Sequence, residues 1–304
     1  MDLIGPNRKA MRSFNYYSPK TLTEAIDLLS TYGTEAKIMA GGTDLLIEIK
    51  EEVITPKYII DLKRIADLNK IEYHKNNLSI GALVTIREVE TSPLISRHLR
   101  ILAEAAFVLG SLQIRNKGTI GGNLCHASPS ADLAPPLIAL DAKLCMLGKS
   151  GERREALENF FIGPGLTILN PDEILIEIQV PIPSPNTNGT YLKFSPRKAM
   201  DLAVVGVATL ITLDSSNLVC TQARIVLGAV APTPIRAKVA EKLLEGKKID
   251  ESLVKKVSSL VAEESRPISD IRGSAWYRKE IVKVLVQRSI FQTIEKIRNY
   301  TLGV

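Results

Sequence analysis

Two glycine-rich segments are where this sequence could do chemistry. The first, AGGTD at 40–44, follows a short apolar run. The second, TIGGN at 119–123, closes a longer tract, GSLQIRNKGTIGGN at 110–123, dense in glycine and hydrogen-bond donors. Adjacent glycines let successive backbone N–H groups turn the same way and approach an anion closely. Thr43 adds a hydroxyl. Each hydrogen bond to a charged oxygen contributes about 1.5–3 kcal/mol, so several together would anchor a diphosphate. A lone Gly-Gly pair is more often an ordinary tight turn. The second segment shifts that balance: a glycine-rich loop running through ASPSADLAP at 127–135 into the apolar stretch 137–140 is unfavourable unless its backbone groups find partners. Neither segment reads GxGxxG, so a phosphate site here uses a fold other than the Rossmann unit.

Other chemistries find less support. Cys125, Cys145 and Cys220 form no CxxC pair, and His74, His98 and His126 are dispersed with no HExxH. Neither a zinc site nor an iron–sulfur cluster can be assembled from them, and no metal ligands are assigned. Sparse, odd-numbered cysteines suit a reducing compartment without structural disulfides. His126, Ser128 and Asp132 are neighbours but lack a GxSxG elbow, which argues against a hydrolase triad. Cys125 beside His126 reads as a packed loop pair. Arg153-Arg154 and Lys247-Lys248 read as solvated surface, with the option of facing an acidic redox partner.

The formal charge of +6 is moderate and scattered over 304 residues. It forms no basic stripe with stacking aromatics, so nucleic acid is not an expected partner. The longest apolar stretch, 202–213, is about half of what a membrane span requires. The charged start, 1–12, lacks a signal-like apolar run. A soluble, cytoplasmic protein is expected.

The elements that must position the glycine segments follow from periodicity and turn chemistry. A helix is expected over 22–32, with a Thr21/Glu24 capping box and Gly33 as its stop. A strand over 36–39 feeds the first glycine turn. Strands follow at 57–62 and 78–83, and a helix at 94–109 ends where the second tract begins. Strands at 143–147, 174–180 and 191–194 come next, with 181–188 as the linker between domains. Beyond it, strands at 203–213 and 223–230 flank a turn at 214–217. Helices then dominate, one carrying the stripe Leu253, Val254, Val257, Leu260 and Val261. Strands first and helices last, without strict alternation, predict an α+β fold.

Taken in order, these segments resemble a known family, the FAD-binding medium subunits of the molybdenum hydroxylases, which include the middle chains of bacterial xanthine dehydrogenase, aerobic carbon monoxide dehydrogenase and 4-hydroxybenzoyl-CoA reductase. The resemblance covers nearly the whole chain. It runs from Phe14-Asn15-Tyr16 and TLTEA at 21–25, through AGGTDLL at 40–46, QIRNKGTIGGNL at 113–124 and ASPSADLAP at 127–135. It continues with Lys193 and RKAMDLA at 197–203, then GAVAPTP at 228–234 and RGSAWYR at 272–278. Each motif alone is weak; the ordered set is specific. Two departures stand out: Ser195-Pro196 lies where relatives carry a second basic residue, and the four-cysteine cluster insertion of the benzoyl-CoA reductases is absent.

The resemblance implies a two-lobed FAD-binding domain of the vanillyl-alcohol-oxidase/PCMH type over 1–183, split near residue 60. A small strand-plus-helix C-terminal domain would follow over 188–295. FAD would lie extended between the lobes with its ring facing the C-terminal domain. The first loop would wrap the diphosphate through Lys37, Ile38, Met39, Ala40, Gly41, Gly42, Thr43, Asp44 and Leu45, and the second would add Thr119, Gly121, Gly122 and Asn123. Asp132 would reach the ribityl or ribose hydroxyls. Leu109, Leu175 and Lys193 would sit near the isoalloxazine, where the Lys193 cation would stabilise negative charge on the reduced ring.

The implied activity is electron transfer within a larger oxidoreductase. A small subunit with [2Fe–2S] clusters would deliver electrons to the FAD, which would pass them to a terminal acceptor. A large molybdopterin subunit would hold the substrate, and the assembly would be a dimer of heterotrimers. The alternative is a self-sufficient FAD-dependent oxidase of the vanillyl-alcohol oxidase type, for which the C-terminal part looks too small. A scaffold subunit that has lost FAD is a third reading, opposed by the intact glycines.

Overall fold

Short β-rich runs separated by a capped helix build a small parallel sheet at the start of the chain. The computed structural model describes residues 12–197, 200–214, 216 and 218–301. Lys198 and Ala199 of the RKAMDLA signature, and two residues of the 214–217 turn, lie outside the described residues, as does 1–11. Strand β1 (Asn15–Tyr17), helix α1 (Leu22–Tyr32), strand β2 (Ala36–Met39), helix α2 (Leu45–Lys50) and strand β3 (Tyr58–Asp61) form the first lobe. Its strands pair in the order β1-β3-β2, all parallel. Thr21 caps α1 by accepting from the Glu24 N–H, but the Glu24 carboxylate accepts from the Lys20 N–H, one residue earlier than a full capping box requires. Gly33, at φ +52°, ends the helix by donating its N–H to the Leu29 carbonyl, a conformation glycine adopts without strain.

The middle lobe is a five-stranded antiparallel sheet with helices on it. Its elements are β4 (Ile71–His74), β5 (Asn77–Gly81), α3 (Ile86–Thr91), α4 (Pro93–His98), α5 (Arg100–Phe107), α6 (Leu112–Arg115), α7 (Ile120–His126), α8 (Ala134–Ala139), β6 (Lys143–Gly148), β7 (Gly151–Ala156), the hairpin β8 (Phe161–Gly163) and β9 (Leu166–Thr167), and β10 (Ile174–Pro181). The strand order is β4-β5-β10-β6-β7. The helix expected over 94–109 is two helices, broken at Leu99 (φ −133°, ψ 46°). The break is silent in the sequence because Ile95, Leu99 and Leu102 all stay buried in one core, so the apolar period runs on through it. Strand β7, GERREA, escapes a pattern search because it is a charged edge strand paired only with β6, as exposed edges commonly are.

The last domain explains the long apolar run. Strands β11 (Thr187–Phe194), β12 (Val205–Leu213), β13 (Cys220–Gly228) and β14 (Ile235–Arg236) form an antiparallel meander. Helices α9 (Lys238–Leu244), α10 (Glu251–Glu264) and α11 (Ala275–Thr301) cover one face. Tyr191, Ala208, Leu210 and Val226 on the other face join the middle lobe's core. A strand covered on both sides reads as continuous hydrophobicity rather than alternation, and β12 is buried almost throughout. Among the described residues, no helix is long and apolar enough to cross a membrane. Buried hydroxyl pairs, Thr190 with Thr293 at 3.0 Å and Thr209 with Ser289 at 2.7 Å, seat α11 on the sheet.

Arg278 ties this domain together at the start of α11. Buried at 3% exposure, it donates to the Val204 and Ala229 carbonyls, both at 3.1 Å, and pairs with Asp270 at 2.6 Å. An Arg278→Met variant keeps the bulk but orphans two buried carbonyls and removes the charge partner of Asp270, which among the described residues keeps only the Arg272 N–H. It should therefore lose about 3 kcal/mol or more of stability, read as a lowered denaturant midpoint with an unchanged transition slope.

Candidate functional site

The two glycine segments meet at one wall of a cleft of about 940 Å³, near the upper end of the ~300–1,000 Å³ usual for cofactor sites. The first lobe contributes the β2–α2 loop. The middle lobe contributes the 109–132 region and the start of β10, and residues 200–202 close one end.

In the first loop, β2 ends at Met39 and the chain reverses at Gly42, φ +75°, before α2 begins. The Leu46 N–H returns to the Gly42 carbonyl, while the N–H groups of Gly42, Thr43 and Asp44 find no acceptor among the described residues. These are the donors a diphosphate would take. Lys63 braces the loop from behind, bonding the Ala40 carbonyl at 3.2 Å and Asp61 at 2.7 Å.

Gly41 has a different task. A Cβ there would lie 2.0 Å from the Lys117 carbonyl oxygen and 2.9 Å from the Gly118 Cα. The two glycine segments therefore pack backbone against backbone, an approach no other residue permits.

The second segment differs from the donor loop anticipated. Four of its five N–H groups are already taken: Ile120 by the Val84 carbonyl, Gly121 by Ala82, Gly122 by the Thr119 hydroxyl and Asn123 by the Thr119 carbonyl. Gly121 is required because a Cβ would lie 2.6 Å from the Ala82 oxygen, so α7 rests directly on the turn after β5. What this segment offers the cleft is side chains and space. The Asn123 Oδ1 is buried without a hydrogen-bond partner. By rotating, that amide can offer either oxygen or nitrogen to a ligand. Unpaired backbone donors, an orphaned amide and a glycine-bared wall fit a diphosphate-bearing, hydroxyl-rich cofactor.

Of the residues expected at the site, all line the cleft except Met39 and Lys193. Met39 is buried with Ile49 and Ile59 in the first lobe's core, whereas Lys37, two residues earlier on the same strand face, is exposed and Ile38 lies on the opposite face. Lys193 directs its ammonium to Asp132 at 2.7 Å and to the Val108 carbonyl at 3.3 Å, its side chain 7% exposed. The Tyr191 hydroxyl donates to the other Asp132 oxygen at 2.8 Å. Asp132 thus joins the cleft wall to the C-terminal domain. Burial pushes its carboxyl above the ordinary range, against the opposing pull of the Lys193 charge and the bonds from Lys193 and Tyr191. Tyr191 escaped the sequence reading, although its position two residues before Lys193 on a strand places both on one face.

Glu48 and Glu173, also in the cleft, escaped it as well. Glu48 and His126 face each other across 3.8 Å. Glu173 accepts two bonds from Arg153, at 2.6 and 2.7 Å, and one from the Asn170 N–H. Arg153 is therefore paired rather than simply solvated. His126, Ser128 and Asp132 share the cleft but not a bond: their partners are Glu48, the Ser130 N–H, and Tyr191 with Lys193. Arg115, of the QIRNKG tract, pairs with Glu90 at 2.8 Å and binds the Leu109 carbonyl at 3.0 Å, fixing the turn that presents Leu109 to the cleft.

Comparison with known proteins gives this geometry a context. Residues 12–183 match the family described as the FAD binding domain in molybdopterin dehydrogenase, and 190–293 match the CO dehydrogenase flavoprotein C-terminal domain. The glyceraldehyde dehydrogenase medium chain of Sulfolobus acidocaldarius is 34% identical over 91% of this chain and 96% of its own length. The carbon monoxide dehydrogenase medium chain of Hydrogenophaga pseudoflava is 33% identical over the same shares. The solved carbon monoxide dehydrogenase of that organism superposes with a TM-score of 0.91 at 32% identity, covering 95% of this chain and 99% of the other. Quinoline 2-oxidoreductase from Pseudomonas putida 86 gives 0.90 at 30% identity, with the same coverage.

Two outcomes follow from the cleft. Gly41→Ala must part the two loops and should lower FAD content at least about tenfold, since one such lost fit exceeds about 1.4 kcal/mol. Gly246→Ala, remote from the cleft, is the control: it meets nothing within 4 Å, so it should keep its FAD while losing some stability through its positive φ. The ratio of flavin to protein absorbance distinguishes them. The second outcome concerns acid. The Arg153 bonds hold Glu173 below the usual carboxylate range; at Asp61 burial pushes upward, but Lys63 and Tyr16 outweigh it. Depressed carboxylates contribute stability above their unfolded pKa and lose it as pH falls through the folded one. The unfolding midpoint should therefore drop steeply below about pH 4, with a shallower slope in Glu173→Gln.

Proposed function

The chain belongs to the FAD-binding medium subunits of the molybdenum hydroxylases, and from that membership we propose that it is the flavin relay between a [2Fe–2S] partner subunit and a terminal acceptor. The observation that carries this reading is the cleft in which unpaired N–H groups of the first loop face a wall bared by glycine. When bound there, FAD supplies a group able to exchange electrons singly or in pairs. The N–H groups of Gly42, Thr43 and Asp44, with the Thr43 hydroxyl, would hold the diphosphate in extended form. Asn123 and Thr119 would take neighbouring polar groups of the cofactor. Leu109 and Leu175, both buried, would supply the apolar surface against the ring and keep water from it. Lys193, paired with Asp132 at 2.7 Å, would act on the cofactor by orienting that carboxylate rather than by direct contact.

In the same reading, the substrate is handled elsewhere. A small [2Fe–2S] subunit and a large molybdopterin subunit complete the enzyme, in the cytoplasm, as a dimer of heterotrimers. The relatives, medium chains and FAD subunits of dehydrogenases, support a multi-subunit setting. The domain division proposed with it is a two-lobed cofactor domain through residue 183 and a C-terminal domain over 188–295.

The test is co-expression with the neighbouring small and large subunits, followed by anaerobic mixing with dithionite-reduced [2Fe–2S] subunit. The flavin absorbance of this chain should bleach within the mixing time when the partner is present. Bleaching by substrate with this chain alone would instead establish a self-sufficient oxidase, and absence of flavin from both the chain and the complex would overturn the assignment.

A further inference from the structure

At Asp132 the C-terminal domain reaches a charged group on the cleft wall. Its carboxylate lines the cleft yet is only 4% exposed. Each oxygen accepts one bond from β11, Oδ1 from Tyr191 at 2.8 Å and Oδ2 from Lys193 at 2.7 Å. A carboxylate offers about four lone-pair sites, so acceptor capacity remains for a cofactor hydroxyl.

The surroundings are shaped for this contact. Gly206 pairs with Lys193 across the β11–β12 ladder. A Cβ at Gly206 would lie 2.8 Å from the Tyr191 hydroxyl oxygen, so glycine leaves that hydroxyl its place. The Val108 carbonyl accepts the same Lys193 ammonium at 3.3 Å, and the next residue, Leu109, lines the cleft. On its other side Tyr191 borders a groove between the domains, beside Val108 and Leu192. The Tyr191–Asp132 bond therefore crosses the wall between that groove and the cofactor cleft.

We propose that Tyr191 is a positioning residue for FAD: with Lys193 and through Asp132, it fixes the carboxylate so that its free lone pairs meet the cofactor. Seating of the C-terminal domain thereby sets the affinity of a site to which that domain contributes little wall. This rests on the FAD-binding reading above. It goes beyond that reading by assigning the control of the site to a tyrosine that does not line it. The charged and titratable groups facing Asp132 are Lys193 and Tyr191 from β11. Removing the phenol hydroxyl withdraws one of the bonds that favour the ionised carboxylate. The defect should then grow as pH falls and protonation competes.

The experiment is a fluorescence titration of the apo full-length chain with FAD across acid to neutral pH. It compares the unaltered chain, Tyr191→Phe, Asp132→Asn and the double variant, with thermal melts reporting folding. Tyr191→Phe should weaken FAD binding about tenfold at neutral pH, as loss of a hydrogen bond to a charged group does, and by more in acid. In the Asp132→Asn background the same change should add less than about twofold, because the two act as a unit. Gly206→Ala, which crowds the hydroxyl without removing it, should move affinity in the same direction and serves if Tyr191→Phe fails to fold. Equal losses in both backgrounds, a pH-independent loss, or no loss would overturn the proposal. A chain that takes up no FAD, either alone or in complex with its partner subunits, would overturn the functional reading itself.

Discussion

A contact between two stretches of bare backbone governs the cofactor cleft. Gly41 rests against the Lys117 carbonyl and the Gly118 Cα at a separation that leaves no room for a Cβ. That contact presses the first lobe's loop onto the middle lobe and brings its unpaired donors beside Asn123. Close packing of this kind is intolerant of added volume. The same glycine chemistry commonly associated with anion approach is used here first to join two lobes.

The division of labour between the glycine segments follows from it. One loop keeps its N–H groups free for a ligand. The other commits its own to Val84, Ala82 and Thr119 and gives the site a rigid wall with a side-chain amide. A wall whose backbone is already satisfied needs no reorganisation when a ligand arrives, which favours binding by limiting the entropy of ordering. Ion pairs hold the periphery: Lys63 with Asp61 behind the first loop, Arg115 with Glu90 under Leu109, and Arg153 with Glu173 by the start of β10. None of these pairs touches the others, so each fixes its own segment.

The C-terminal domain is joined to the cleft by two different means. Its sheet is covered on both faces, by the middle lobe and by α9–α11, which gives a large apolar interface and explains why β12 lacks alternation. Within that interface lies the polar link from Tyr191 and Lys193 to Asp132. A buried carboxylate is tolerated only with partners, and both partners come from the other domain. The apolar surface supplies adhesion, whereas the polar link defines register, since a one-residue slip of β11 would turn both side chains to the opposite face.

Much of this was legible in the sequence. Thr21, Glu24 and Gly33 bounded α1, the strand into AGGTD was marked by its apolar run, and the ordered motifs carried the family and its cofactor. Those signals are local, since caps, turns and periodicity act within a few residues. What the sequence could not express were relations across distance. The break at Leu99 hides inside an unbroken apolar period. Met39 is buried because Ile49 and Ile59 of neighbouring elements pack against it. Arg153 finds Glu173, and Lys193 finds Asp132, only after the sheets assemble. Glycine as a residue type announced that backbone would come close to something; only the tertiary structure decided that for Gly41 the something is the other glycine segment. A side chain that is absent leaves no trace in one dimension of what fills its place.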